Sequence, residues 1–295
     1  MDKQLIEIFN KIINKKYKKT NHKTYYSNEY YLINIFEMLN DINKWETLKK
    51  LKSYNPVIIN GKESKNHYST IRKKFNKWCN DGIFEMAFQE CVDRTKFDKS
   101  IKLSIDASFI NNKYGIEDIA LNIDNKKKRA SKISVISDKN KFIYSILSIR
   151  VSEKEIEKID RRKKENKNKK NNKKIAGFVH DVNTIQESLD KINKIYNFNQ
   201  ITLMGDKGYI SSDNYYYNNK KIILLTYKKK NQTPNEEEIE IELKERIYVE
   251  NTIGNLKKSE RVMTRKDHKI KSYMGFVYLA SLINNLKKIN KNNIF

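Results

Sequence analysis

The residues with the most chemical content lie between Arg246 and Lys257, in the run R-I-Y-V-E-N-T-I-G-N-L-K. Spacings of four from Arg246 to Glu250 and of seven from Glu250 to Lys257 put one carboxylate and two cations on a single helical stripe. Upstream, Asp106 follows the alternating run I-K-L-S-I, and Asp206 follows I-T-L-M-G and opens the tetrapeptide D-K-G-Y. Two strand-end carboxylates and one helix carboxylate are the ligand set a two-metal phosphoryl-transfer site needs. Two divalent ions about 4 Å apart must be neutralised by acidic oxygens, and the arginine and lysine then hold the polyanion whose phosphodiester is attacked. Each residue also has a structural reading. Asp106 can serve as a turn or cap residue, and Glu250 as the exposed i,i+4 partner of Arg246, worth a few tenths of a kcal/mol. Asp118 and Asp124 rank below Asp106 because no regular strand precedes them.

The elements that must position these groups follow from hydrophobic period. From residue 1 to about 95, apolar residues recur at helical spacing, as Leu5, Ile8, Phe9 and Ile12, then Tyr31, Leu32, Ile35, Phe36 and Leu39, then Ile71, Phe75 and Trp78. This predicts an all-helical N-terminal region, punctuated at Asn55-Pro56, Asn60-Gly61 and Asp81-Gly82. Ser69 to Phe88 reads either as a helix-turn-helix DNA reader or as a helical subdomain that braces the rest. From Ile101 the period becomes two. Strands are expected at 101–105, Lys132 to Ser137 and Phe142 to Val151, with a turn at Asp138-Lys139-Asn140, as an antiparallel meander. A helix over Asn183 to Tyr196, a strand over Ile201 to Met204 and another over Lys221 to Leu225 precede the terminal helices. Pattern alone therefore predicts an α/β catalytic domain over 96–295 behind a helical region over 1–95.

Composition sets the partner class. The 295 residues hold 61 Lys plus Arg against 36 Asp plus Glu, a formal net charge of +25, so a polyanion is the natural ligand. The abundance of Lys, Asn, Ile and Tyr beside 8 Gly and 2 Pro also fits an AT-rich coding sequence, which accounts for part of the lysine excess. The run Arg161 to Lys174 is nearly devoid of apolar residues and reads as a basic loop inserted at about 152–175, solvated or clamping DNA. The acidic stretch Asn235 to Glu242 reads as a solvated lead-in to a helix. Cys79 and Cys91 are too few and too far apart for a disulfide framework or a C-x-x-C site, which points to a reduced intracellular setting. No window approaches a membrane-spanning length of apolar residues.

The order Asp106, then D-K-G-Y from Asp206 to Tyr209, then R-x3-E-x6-K at Arg246, Glu250 and Lys257, resembles the DDE transposases of bacterial-type insertion sequences, the Y-R-E-K signature group. In that signature a tyrosine stands three residues before the arginine; here the position is Leu243. Lys128 to Ser145 is similar to the hairpin after the family's first aspartate, and His67 to Glu85 to its helical segment before the catalytic domain. The resemblance spans roughly Tyr68 to Leu286. It implies an RNase H-like catalytic domain in which Asp106, Asp206 and Glu250 hold Mg2+ or Mn2+, as two ions, and Arg246, Lys257 and Lys207 contact DNA. His180 and Asp181 are second-tier site residues, which some relatives match and which otherwise form a helix cap. The implied partner is double-stranded DNA with terminal inverted repeats, bound by a homodimer, with no membrane. The compartment would be the cytoplasm of a prokaryote, or the nucleus or a viral factory in a eukaryotic or viral setting. A domesticated DNA-binding derivative and an RNase H-like nuclease without strand transfer are the alternatives.

Overall fold

Leu5, Ile8, Phe9, Ile12 and Ile13 make one apolar stripe. In the computed structural model all five are buried on α1, Lys3–Lys16. The structure describes residues 3–17, 26–40, 45–50, 57–59, 62–64, 67–95, 100–122, 128–152, 177–192, 198–228 and 231–292, so the basic run 161–174 lies outside the described residues. The chain divides into two units, Met1–Lys96 with Gly254–Phe295, and Phe97–Ile253.

In the first unit α1 is followed by α2, Asn28–Asn40, and a 3-10 turn, Trp45–Lys50. The region is not all-helical, contrary to the expectation from the sequence. β1, Val57–Ile59, and β2, Lys62–Ser64, form an antiparallel hairpin with Ile59 opposite Lys62. The cause is local, because a β-branched run followed by Asn60-Gly61 carries the strongest short hairpin signal. His67 caps α3, Tyr68–Asn80, by accepting the Ser69 N–H, and Gly82 at φ 74° turns the chain into α4, Ile83–Arg94.

The polar side of α4 is occupied within the unit. Glu85 accepts from the Tyr278 hydroxyl at 2.9 Å, and Glu90 pairs with Lys11 at 2.5 Å and Arg94 at 2.9 Å. The other side buries Phe84, Ala87, Phe88 and Cys91. A polar face that carries Glu85, Glu90 and Asp93 against Arg94 alone is repelled by DNA phosphates, which argues for the bracing reading of this helix pair.

Two C-terminal helices, α8 (Glu260–Met263) and α9 (Ile270–Asn292), complete this unit. Along α9, Tyr273, Phe276, Val277, Leu279 and Leu282 are buried, the pattern of a core helix. Phe276 stacks on Phe75 at 4.4 Å, and Trp45 and Phe84 close on Phe75 at 5.3 Å each. The sequence reading assigned 254–295 to the strand-rich domain; the structure groups it with the N-terminal helices because α9 supplies one wall of their aromatic core.

The second unit is built on one mixed sheet. Its strands are β3 (Ser100–Asn112), β4 (Ala120–Asn122), β5 (Lys128–Ser137), β6 (Ile143–Ser148), β7 (Gln200–Gly205), β8 (Tyr216–Tyr217) and β9 (Lys220–Thr226). β5 runs antiparallel to β3, β6 and β4, while β7 runs parallel to both β3 and β9. The expected meander is present, with β4 added. The expected helix over 183–196 becomes a 3-10 turn, Asp181–Thr184, and α5, Ile185–Asp190, while residues 193–197 lie outside the described residues. α6, Glu237–Leu243, continues through a 3-10 turn, Lys244–Arg246, into α7, Ile247–Leu256. Among the described residues no helix is long and apolar enough to cross a membrane.

Gly275 on α9 tests the aromatic core. A Cβ there would overlap the Cys79 sulfur and stand 3.3 Å from Phe75 and Phe84. Gly to Ala inside a helix usually gains about 1 kcal/mol, whereas overpacking a buried site costs about 1 to 3 kcal/mol. Overlap with a buried sulfur decides the sign, so Gly275→Ala should lower the urea midpoint; a raised midpoint would show that the α3–α9 contact is loose.

Candidate functional site

Strand pairing brings the first two carboxylates together. β3 and β7 are parallel from Ser100↔Gln200 to Ser104↔Met204, with apolar pairs Ile101↔Ile201 and Leu103↔Leu203. Two residues beyond the last pair on each strand stand Asp106 and Asp206, at the same register on neighbours about 4.8 Å apart. The strand-end expectation holds for Asp206, which follows the last residue of β7, but not for Asp106. β3 continues past it to Asn112 because its pairing with β5 runs on to Asn111↔Ala130. Asp106 is thus mid-strand, at the point where β7 stops covering that edge.

The loop after β7 is tight at Gly205 rather than Gly208. A Cβ on Gly205 would lie 2.8 Å from Tyr209 Cβ, closer than real Cβ atoms come. Asp206 caps the 3-10 turn Lys207–Tyr209 by accepting the Gly208 N–H at 2.8 Å. Lys207 is exposed, and Tyr209 is fully buried beneath the turn.

The third carboxylate comes from α7. Val249, Thr252, Ile253 and Leu256 form its buried stripe, and the Thr252 hydroxyl meets that of Ser137 on β5 at 3.4 Å. Glu250 is left exposed at the site. Arg246 precedes the helix, in the 3-10 turn, and links the carboxylates: Nη1 lies 3.8 Å from Asp106 Oδ1, and Nη2 donates to Glu250 Oε1. Its Nε is buried without a hydrogen-bond partner among the described residues. Lys257 lies in the turn after the helix and belongs to the other unit. Of the predicted set, Asp106, Asp206, Glu250 and Arg246 share one neighbourhood.

Asp106 records the electrostatics of that neighbourhood. Burial pushes its carboxyl up to about 6. Arg246 and the Ala107 N–H oppose the rise, and Asp206 and Glu250 add to it. Its ionised form is therefore under-compensated by Arg246 alone. Among the described residues no three His, Cys, Asp or Glu side chains are already gathered closely enough to hold one metal ion. The donor set is nevertheless all carboxylate oxygen, and its mutual repulsion is the condition a hard divalent ion relieves, so the residues fit such an ion chemically.

The second-tier pair makes contacts of its own. His180 precedes the 3-10 turn without capping it through its side chain, and Asp181 is clamped by Lys132, whose Nζ lies 2.6 Å and 2.8 Å from the two carboxylate oxygens. Lys132 also sits over the Phe109 ring at 4.9 Å. Asp181 is therefore held as a structural ion pair on β5. The sequence carried no signal for Lys132, which is one lysine among many.

Tyr209 is the other residue that sequence reasoning left without a role. Burial first, then the charges of Asp181, Asp106 and Asp206, raise its phenol far above the ordinary value. Its hydroxyl is directed toward Ser134, yet neither hydroxyl makes a well-formed hydrogen bond. Its presence in D-K-G-Y was the available signal.

No known family and no curated protein matches the sequence. Among solved structures, the chain is similar to the piggyBac transposase of a synaptic complex with hairpin DNA, at 10% identity and a TM-score of 0.50, over 100% of this chain and 74% of that one. The chain thus shares a mixed α/β fold with that protein. This likeness lends nothing to the narrower resemblance to the insertion-sequence group.

The Asp106 environment has a thermodynamic consequence. A carboxyl that titrates near 6 when native, against an ordinary 3.8, binds its proton more tightly in the native state. Its contribution to stability is most favourable below about 4 and declines as pH rises through about 6. At pH 7 without divalent ions, Asp106→Asn should therefore stabilise the protein by on the order of 1 kcal/mol. The gain should vanish below pH about 4. Melting curves across pH check this, and a destabilised variant at pH 7 would show that Arg246 fully compensates the charge.

Proposed function

We propose that the protein is a DDE-type transposase, a metal-dependent DNA endonuclease and strand transferase. The observation that carries the proposal is the shared register of Asp106 and Asp206 on parallel strands, joined through Arg246 to Glu250, within a transposase fold. The strand arrangement supports an RNase H-like reading of the sheet. In the order β6-β5-β3-β7-β9, β5 runs antiparallel to both of its neighbours and the last two strands run parallel to β3. Membership of the Y-R-E-K group rests on the sequence resemblance, with Leu243 fully buried in place of the tyrosine.

In this reading Asp106, Asp206 and Glu250 would hold Mg2+ or Mn2+, as two ions. Bound there, the ions would supply charge neutralisation and an acidified water or 3′-hydroxyl. The chain's own residues do the positioning. β3 and β7 fix two carboxylates abreast, α7 presents the third, and Arg246 holds Asp106 and Glu250 near each other until a phosphate or cation competes for them. Arg246 and Lys257 would contact the substrate backbone, Arg246 in bidentate fashion, and Lys207 would lie at the strand being cut. The substrate would be duplex DNA with terminal inverted repeats, bound by a homodimer.

Asp106→Asn, Asp206→Asn and Glu250→Gln should each reduce Mg2+-dependent cleavage of the element's ends by at least about 100-fold, the scale of losing one preorganised charge at the reacting centre. Duplex affinity in metal-free buffer should stay within about twofold, since it depends on the basic surface. Cleavage at the unmutated rate by two of these variants places the active site elsewhere. Cleaved ends that are never joined to new DNA would select a nuclease without strand transfer, and DNA binding by the unmutated chain without cleavage would select an inactive derivative.

A further inference from the structure

In the first unit, α3 and α4 are successive helices of unlike charge. Tyr68–Asn80 holds Arg72, Lys73, Lys74 and Lys77 with no acidic residue, whereas Ile83–Arg94 holds Glu85, Glu90 and Asp93 with Arg94 as its one base. Both helices bury an apolar face, α3 through Ile71, Phe75, Trp78 and Cys79. Arg72, Lys73 and Lys77 remain exposed on α3, and among the described residues none of the four cations forms an ion pair. The cations of α3 are therefore without an acid on their own helix, while Glu90 of α4 is paired with Lys11 of α1 and with Arg94.

A row of lysines is commonly just a solvated face, but Lys74 is not solvated. Its ammonium is half-buried over Tyr31 at 5.3 Å and Trp78 at 5.4 Å, and Tyr31 packs against Tyr26 and Tyr30 at 6.2 Å and 5.8 Å. Burial, then repulsion from Lys77, lowers its pKa. Aromatic rings hold the stem and head in place, which removes much of the conformational entropy a free lysine loses on meeting a phosphate. Lys77 is similarly placed over the Tyr17 ring at 4.9 Å. Lys74 and Lys77, held on rings and without an ion pair among the described residues, are prearranged for an external anion.

We infer that the exposed face of α3, through Arg72, Lys73, Lys74 and Lys77, is a docking surface for the phosphate backbone of duplex DNA, and that α4 takes no part in reading DNA. The inference rests on the proposed function for the identity of the polyanion. A 13-residue helix is about 20 Å long, enough to follow several successive phosphates. The contacts are to backbone, so this surface supplies affinity and orientation rather than sequence preference.

The test uses the full chain, metal-free buffer and a fluorescent 30-base-pair duplex of scrambled sequence, titrated across salt. One variant carries Arg72→Ala, Lys73→Ala and Lys77→Ala, all exposed positions. A control carries Lys113→Ala, Lys139→Ala and Lys221→Ala, three exposed lysines of the second unit, so that net charge falls equally. The α3 variant should lose roughly 10-fold or more in affinity near 0.1 M salt, and its slope of log affinity against log salt should fall by about two to three units. The control should lose less than about twofold. Equal losses in both variants, or an unchanged slope in the α3 variant, overturn the α3 surface while leaving the transposase reading intact. Failure of the unmutated chain to bind the duplex at all overturns the DNA reading itself.

Discussion

The site depends on one constraint, the parallel register of β3 against β7. Pairing Ile101 with Ile201 and Leu103 with Leu203 fixes which residues lie beyond the paired segment, and those residues are the two aspartates. A slip of one position would turn Asp106 to the opposite face of the sheet and part it from Asp206, because side chains alternate with a period of two. The apolar pairs that stabilise the sheet are thus also the pairs that set the carboxylate spacing. β5 locks the other edge of β3 with eight consecutive pairs from Ser104↔Ser137 to Asn111↔Ala130, so β3 cannot slide to relieve the repulsion between the acids.

That repulsion gives Arg246 its place. Asp106 is partly desolvated beside Asp206 and Glu250, and a guanidinium can contact two carboxylates at once where an ammonium would serve one. The arginine reaches both because the helical run from Glu237 to Leu256 tightens to 3-10 at Lys244–Arg246, re-aiming the chain just before α7. Its Nε remains orphaned. Without an added cation the site is an incompletely satisfied polar cluster, held by the sheet on one side and by the buried stripe of α7 on the other. Clusters of this kind destabilise the native state and are kept for function.

How much of this could be read from the sequence varies with the range of the interaction involved. Local signals were readable: the alternation before Asp106, the Asp-Gly turn between α3 and α4, the helical spacing of α1 and the strand leading to Asp206. The pairing of Val57–Ile59 with Lys62–Ser64 has a signal in the intervening Asn-Gly sequence, but strands of three residues are too short to show a periodicity against the helical spacing around them. Long-range facts were not readable. Nothing in the residues between Lys266 and Phe295 says that α9 packs on Phe75, because an apolar helix can wall any core. Nor does Lys132 advertise Asp181 from 49 residues away. Of the site itself, the residue types and order were visible, while the shared register, the bridging role of Arg246 and the buried Tyr209 required the fold.

The charge distribution closes the argument by separating affinity from chemistry. A chain of net charge +25 has cations in excess, yet the arginine nearest the carboxylates is already engaged with two of them and is poorly placed to supply binding energy in the resting state. Affinity for a polyanion must then come from cations that carry no acid of their own. On the first unit α3 carries four cations without an ion pair among the described residues, with Lys74 and Lys77 packed on aromatic rings, while Glu90 and Glu85 of α4 are engaged by Lys11 and by the Tyr278 hydroxyl. A surface that bound phosphates without competing for the carboxylates would let a polyanion be held while the acids stayed available to a metal ion. The two requirements would conflict if one set of lysines and arginines had to meet both.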